Sequence, residues 1–441
     1  MRPGILDMIA LFAFLVFLVE CAVGAAGPPL EKDDIFAPYM NGAPKITTVI
    51  SEETKDGVKV TKLRFASAEG SKEGAVKDCE IYAILARPAD AAGKKLPGML
   101  VCHGGGGQAF EEGATVWAKL GYVAIMPDLP GYGASDKMQS ISRVTKMQFG
   151  ADQVIPLKPT PYVCVLFDAV VSGLRAFNLL GAQPDVDPQK LCMTGISWGG
   201  YMVTMLSGLL DERVKATFNL YGSGFYQLDA IGSDALKKMD EADRTAWLKC
   251  FDAGTRLNRC RAAYLMYIGT NDIFFKPPSV MATFDAIPGS KYICFGPNKS
   301  HYMSLPGGPV RWEYPINAEV EPAFFAHVLA GNNPPLPELG AAAVPREGKT
   351  LKFAVTNCPD KAIGWFYVSW LPDQPRGWDA RDWARLEAVP GPNGEFTCAI
   401  PESLGAFDWF GGITFTLKTD KVTRPMSLST KIYRCGEQPA K

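Results

Sequence analysis

The sequence predicts an α/β fold with a mostly parallel central sheet, followed by a small all-β domain. Three observations carry this. From Cys79 to Gly331, short and near-continuously apolar runs alternate with longer amphipathic segments. Several of those runs lack in-out alternation, as strands buried on both faces do. After a Pro-, Gly- and Ala-rich stretch from Gly331 to Thr350, the pattern changes to short strands separated by turns.

The elements follow in order. Arg2 precedes an apolar run from Met8 to Val19, and small residues, CAVGAAG, follow it. This is the layout of a secretory signal peptide cleaved after Ala25, since the run is short for a membrane span. Residues 26–78 hold one or two antiparallel strands that feed the main sheet. Within 79–331 the strand candidates are CEIYAILARP, GMLVCHG, YVAIMPD, KLCMTG, KATFNLYG, AAYLMYIG and KYICFG. The helix candidates are Phe110 to Leu120, Tyr162 to Leu180, Gly199 to Leu210 and Glu321 to Ala330. Residues 332–350 read as a linker, and 351–441 as a sandwich built from LKFAVTN, GWFYVSW, FTCAIP, ITFTLKT and MSLSTKIY.

Charge and cysteine usage narrow the classes. With 45 basic and 46 acidic residues, the chain carries no excess that points to nucleic acid or an acidic surface. Cys102, Cys192 and Cys294 sit in strand-like runs and read as small buried hydrophobes. Cys250 with Cys260, and a pair among Cys358, Cys398 and Cys435, are candidates for bridges in an oxidising compartment. No C-x-x-C or Cys/His cluster suggests a metal, and no cofactor is expected.

The chemistry concentrates in four short stretches. In KLCMTGISWGGYMV, Gly195-Ile196-Ser197-Trp198-Gly199 fits G-x-S-x-G between a strand and a helix. A sharp strand-to-helix turn there exposes the serine at the carboxyl edge of the sheet, and its neighbours must lack side chains. A serine hydroxyl needs a base to become a nucleophile. The chain has only three histidines, His103, His301 and His327. His301 lies in a polar loop after the last core strand, whereas His327 lies inside an apolar helix and reads as a packed residue. The base in turn needs an orienting acid. In AAYLMYIGTND, Asp272 sits in the loop after the strand, on the same sheet edge as Ser197, while Asp252 and Asp285 follow no clear strand. LVCHGGGGQAF sets His103 and four glycines directly after a strand, so that backbone N–H groups can face a developing oxyanion. The N–H of Trp198, immediately after the serine, is the expected second donor. A phosphate-binding loop is the competing reading of those glycines, but no G-x-x-x-x-G-K is present.

Together VDPQKLCMTGISWGGYM, HGGGG, PDLPGYGAS and GTNDIFF…NKSHYM resemble the α/β-hydrolase superfamily, over roughly Cys79 to Gly331. The branch is prolyl-oligopeptidase-like and dienelactone-hydrolase-like, and it includes acetyl xylan esterases. The resemblance implies an α/β-hydrolase fold with Ser197 as nucleophile, Asp272 and His301 as its partners, and Gly105 and Trp198 amides as oxyanion donors. Dienelactone hydrolases proper carry cysteine where this chain has Ser197, and prolyl oligopeptidases carry a propeller ahead of the hydrolase domain. The expectation is therefore a secreted or periplasmic serine hydrolase of carboxylic esters. Short-acyl, acetyl esters of small or polymeric carbohydrates are the expected substrates, with neither nucleic acid nor a membrane span involved. A peptidase of prolyl-oligopeptidase type and a non-catalytic glycan-binding protein are the alternatives. The last domain holds Trp365, Trp370, Trp378, Trp383 and Trp409. They read first as the core of a small sandwich and second as a surface for sugar rings.

Overall fold

The computed structural model describes residues 28–31, 33–69, 78–131, 139–141, 157, 160–301, 320–331, 333–340, 350–370, 377–400, 405–419 and 423–435. The leader, Tyr132 to Ser135 of the PDLPGYGAS stretch and most of the expected linker lie outside these residues.

The first elements are a hairpin, β1 (Ile46–Lys55) and β2 (Val58–Ala66), then β3 (Glu80–Pro88) and β4 (Leu96–Cys102). Next come α1 (Glu111–Lys119), β5 (Val123–Pro127), α2 (Val165–Gly181), β6 (Val186–Ile196) and α3 (Trp198–Leu210). They are followed by β7 (Ala216–Leu220), α4 (Ser233–Lys238), α5 (Glu241–Phe251), β8 (Ala263–Gly269), α6 (Pro277–Ala286), β9 (Lys291–Gly296) and α7 (Val320–Ala330). The nine strands form one sheet in the order β1-β2-β3-β5-β4-β6-β7-β8-β9. From β5 to β9 every pairing is parallel, while β1, β2 and β3 add antiparallel strands at one side. Parallel strands need crossovers, and helices on both faces bury them. That burial explains runs such as β5 and β7, in which every residue is buried.

The helices α4, α5 and α6 are absent from the sequence reading. In α5 only Trp247 and Phe251 are buried, so apolar periodicity is weak. A local signal does exist, because the Asp240 carboxylate caps the helix by accepting from the Asp243 N–H.

The C-terminal part is a sandwich. β10 (Glu338–Gly340), β11 (Thr350–Thr356), β12 (Ile363–Trp370), β13 (Ala384–Glu387), β14 (Val389–Pro390), β15 (Glu395–Ala399), β16 (Phe407–Lys418), β17 (Thr423–Ser429) and β18 (Tyr433–Cys435) make two antiparallel sheets. One has the order β10-β11-β15-β14 and the other β13-β12-β16-β17, with β18 against β16. Between the sheets Phe353 stacks on Phe396 and meets Phe366 edge-on. The opposite face of the second sheet turns to the α/β domain, where Phe410 packs 5.8 Å from Phe295 of β9. The middle of β12 is thus covered on both faces: Trp365 and Phe366 are buried, while the strand ends Ile363 and Trp370, at 63% and 60% exposure, reach solvent. Trp383 and Trp409 are buried as well. Ten cysteines are described and all are free thiols, so neither candidate bridge, Cys250 with Cys260 or a pair among Cys358, Cys398 and Cys435, is formed.

Candidate active site

Ser197 stands between β6 and α3 with φ 56° and ψ −111°. L-residues avoid this region, at a cost of about 1–3 kcal/mol, and such outliers gather at functional sites. The turn is held from several sides. The Ser197 N–H donates to the Leu220 carbonyl at 2.7 Å. A Cβ at Gly195 would run into the Gly199 carbonyl, and a Cβ at Gly199 into the Cys102 carbonyl of β4. The glycines of the motif are therefore required by the approach of α3 to its own strand and to the neighbouring one.

His301 lies in the loop after β9 and Asp272 in the loop after β8. The His301 Nε2 is 2.7 Å from Ser197 Oγ, and its Nδ1 is 2.8 Å from Asp272 Oδ2. The other Asp272 oxygen accepts from the backbone N–H groups of Phe274 at 2.8 Å and Phe275 at 2.7 Å. Those two amides fix the carboxylate in one orientation. Asp272 is fully buried and His301 nearly so, while Ser197 is partly exposed. Aromatic rings box the imidazole: Phe274 edge-on at 4.8 Å, Tyr221 at 5.1 Å and Phe275 at 6.1 Å. With Nδ1–H donated to Asp272, Nε2 is left to accept from the serine hydroxyl.

The glycine loop after β4 runs beside this group. A Cβ on Gly104 would lie 3.9 Å from Ser197 Cβ. His103 organises the loop rather than joining the serine. Its Nε2 accepts from the Leu129 N–H at 2.9 Å, so its proton sits on Nδ1 and donates to the Gly104 carbonyl at 2.8 Å. Burial pushes the His103 imidazole below its ordinary range, which keeps it neutral in that role. Gly105 is exposed on the loop, and Trp198 opens α3 with its side chain buried.

The other candidates separate. His327 is a largely buried residue of α7 whose carbonyl accepts from the Asn333 amide. Asp252 is consumed by the N–H groups of Phe225, Tyr226 and Gly254. Asp285 pairs with Lys431. Among the described residues no group of three or more His, Cys, Asp or Glu side chains is arranged to hold a metal.

Sequence reasoning did not find Tyr221, Asn271 or Asn298. Tyr221 has φ 61°, unusual for a bulky residue, and its N–H bonds the Tyr267 carbonyl. Its only trace in the sequence is a position at the carboxyl end of KATFNLYG. Asn271 adjoins Asp272 and Asn298 stands three residues before His301, and a polar residue beside a motif gives no separate signal.

Comparison with known proteins agrees with this architecture. Residues 81–246 match the Dienelactone hydrolase family. A fungal protein from Acremonium sp., "Alpha/beta hydrolase ucsC", is 30% identical over 129 residues, which are 28% of this chain and 22% of that protein. The chain thus spans about a fifth of the length of the curated relative it matches. The crystal structure of acetyl xylan esterase 1 from Thermoanaerobacterium sp. JW/SL YS485 superposes with a TM-score of 0.51 at 19% identity. That match covers 63% of this chain and 92% of the other, and it shows the shared fold.

Proposed function

We propose that this member of the α/β-hydrolase superfamily is a serine hydrolase of carboxylic esters, with short-acyl and above all acetyl esters of carbohydrates as substrates. The observation that carries the reading is the unbroken hydrogen-bonded line from Ser197 Oγ through His301 to Asp272, ending on a serine in a strained turn. In the reaction Ser197 Oγ attacks the ester carbonyl while His301 Nε2 takes its proton. Asp272 holds the Nδ1–H tautomer and stabilises the imidazolium that forms. The N–H groups of Gly105 and Trp198 serve as donors to the oxyanion. His301 then protonates the leaving alcohol, and a water activated by the same imidazole hydrolyses the acyl-enzyme. The name of the acetyl xylan esterase that shares the fold is consistent with an acetyl substrate, and so is a serine where dienelactone hydrolases carry cysteine. The leader Met1 to Ala25 supports secretion or delivery to a periplasm.

A fluorophosphonate probe tests the nucleophile, because only an activated serine reacts. The wild-type chain should label, and Ser197→Ala should lose both labelling and hydrolysis of p-nitrophenyl acetate. His301→Ala should lose about 10⁶-fold in rate, as triads do without their base, and His327→Ala should not. Acetyl esters should be cleaved far faster than peptide anilides. An alkoxide leaves more readily than an amine. Labelling that survives in Ser197→Ala would sink the proposal, and cleavage of anilides alone would turn it to a peptidase. A folded wild-type chain that neither labels nor hydrolyses would favour a glycan-binding protein.

A further inference from the structure

We infer that the C-terminal segment 377–383 is a positioning element for the active site, holding the Asp272 and His301 loops through Asn271 and Asn298. The inference rests on the serine-hydrolase reading above. Asn298 stands three residues before His301. Its side-chain amide pairs both ways with the backbone of Trp383: Nδ2 donates to the Trp383 carbonyl at 2.8 Å, and Oδ1 accepts from the Trp383 N–H at 2.7 Å. Asn271 immediately precedes Asp272. Its Nδ2 donates to the Arg381 carbonyl at 2.6 Å and, more weakly, to that of Asp379 at 3.3 Å. The two loops are also tied to each other. Thr270 Oγ1 donates to Asn271 Oδ1 at 2.6 Å and accepts from the Asn298 N–H at 2.9 Å, while the Asn271 N–H reaches the Lys299 carbonyl at 3.0 Å.

The segment that receives these bonds is itself fixed. Arg381 is buried, stacks on Trp378 at 3.5 Å and pairs with the buried Asp408 of β16. Arg434 of β18 binds the same carboxylate at 2.8 Å. Trp383 is buried against Phe410 at 5.1 Å. A rigid strap from one domain thus meets the two loops of the other that carry the acid and the base. If the contact were only adhesive, bonds to any surface of the α/β domain would suffice. These bonds fall on the residue next to Asp272 and on the turn leading to His301. Asn298 has φ 55°, a conformation that asparagine and glycine tolerate, so Asn298→Gly removes the amide while keeping the backbone.

The test compares wild type, Ser197→Ala and the double variant Asn271→Ala/Asn298→Gly in the full chain. Melting temperature, steady-state hydrolysis of p-nitrophenyl acetate and the rate of fluorophosphonate labelling are read. A small displacement of catalytic groups costs up to about 100-fold, so kcat and the labelling rate should fall about 10- to 100-fold with KM little changed. Asn298→Asp keeps the side-chain size and the acceptor for Trp383 N–H but loses the donor, and should slow labelling by a smaller factor. It serves as the readout if the double variant folds poorly. Folded variants that label at the wild-type rate, or that lose rate only in proportion to their folded fraction, would overturn the inference while leaving the serine reading intact. Labelling that persists in Ser197→Ala would instead remove the reading on which the inference stands.

Discussion

At the scale of single residues, the turn at Ser197 sets stability against function. A non-glycine residue at φ 56° is strained, and the strain is borne by the packing of Gly195 and Gly199 around it. Ser197→Ala and Ser197→Gly both remove the hydroxyl of the proposed nucleophile, but only glycine relieves the backbone. Ser197→Gly should therefore be more stable than Ser197→Ala by about 1 kcal/mol, despite the greater freedom of glycine in the unfolded chain. Urea midpoints of the two variants measure it, and equal midpoints would mean the turn holds no strain. That Ser197, Asp272 and His301 come together was legible because each follows a strand end and the chain has only three histidines. Tyr221, Asn271 and Asn298 were not legible, because their role exists only once β7, β8 and β9 lie side by side.

At the scale of elements, the second sandwich sheet shows what pattern alone leaves open. Alternation in GWFYVSW reads correctly as two aromatic faces, but the sequence does not say what covers each. In the structure Phe366 meets the other sheet and Trp365 packs edge-on against Phe410 on the face turned to the α/β domain, with its ring over Gly412. Of the aromatic residues in this stretch, Trp370 is the one largely exposed to solvent. Trp365→Ala should destabilise by about 3–5 kcal/mol, as large-to-small core changes do. Trp370→Ala should change stability by no more than about 0.5 kcal/mol and, if the sandwich binds sugar rings, weaken binding to polymer alone. Chemical denaturation and a pull-down on insoluble xylan separate these. A large stability loss in Trp370→Ala would show that the strand end is packed. Helix α5 was missed for a related reason: it touches the core through two residues, too few to mark a period.

At the scale of the whole molecule, the two domains share apolar surface and buried hydrogen bonds. Tyr267 of β8, fully buried, donates its hydroxyl to the Ser427 carbonyl of β17 at 2.7 Å. Nearer the surface, Asp285 of α6 pairs with Lys431 at 2.7 Å. Interfaces of this kind couple unfolding, whereas polar and sparse ones let domains melt separately. One transition is expected in urea, with tryptophan fluorescence and far-UV circular dichroism superimposed, since five of the nine tryptophans report on the sandwich. Two resolved transitions would show that the domains are energetically independent. The sequence did place the α/β region before the sandwich, but the contact between them depends on residues more than a hundred positions apart.

The same seam has a consequence for solubility. A nine-stranded sheet has two free rims, and each invites a strand from another molecule. At one rim β1 breaks its register with β2 at two points and carries Glu52, Glu53 and Lys55, features that discourage such pairing. At the other rim β9 has no comparable guard of its own. There Ser429 of β17 satisfies the backbone instead, its hydroxyl accepting from the Phe295 N–H at 3.0 Å and lying 3.5 Å from the Ile293 carbonyl. The sandwich is thus a covalently attached cover for a sticky strand, and an α/β domain released from it by proteolysis would meet its own copies through β9.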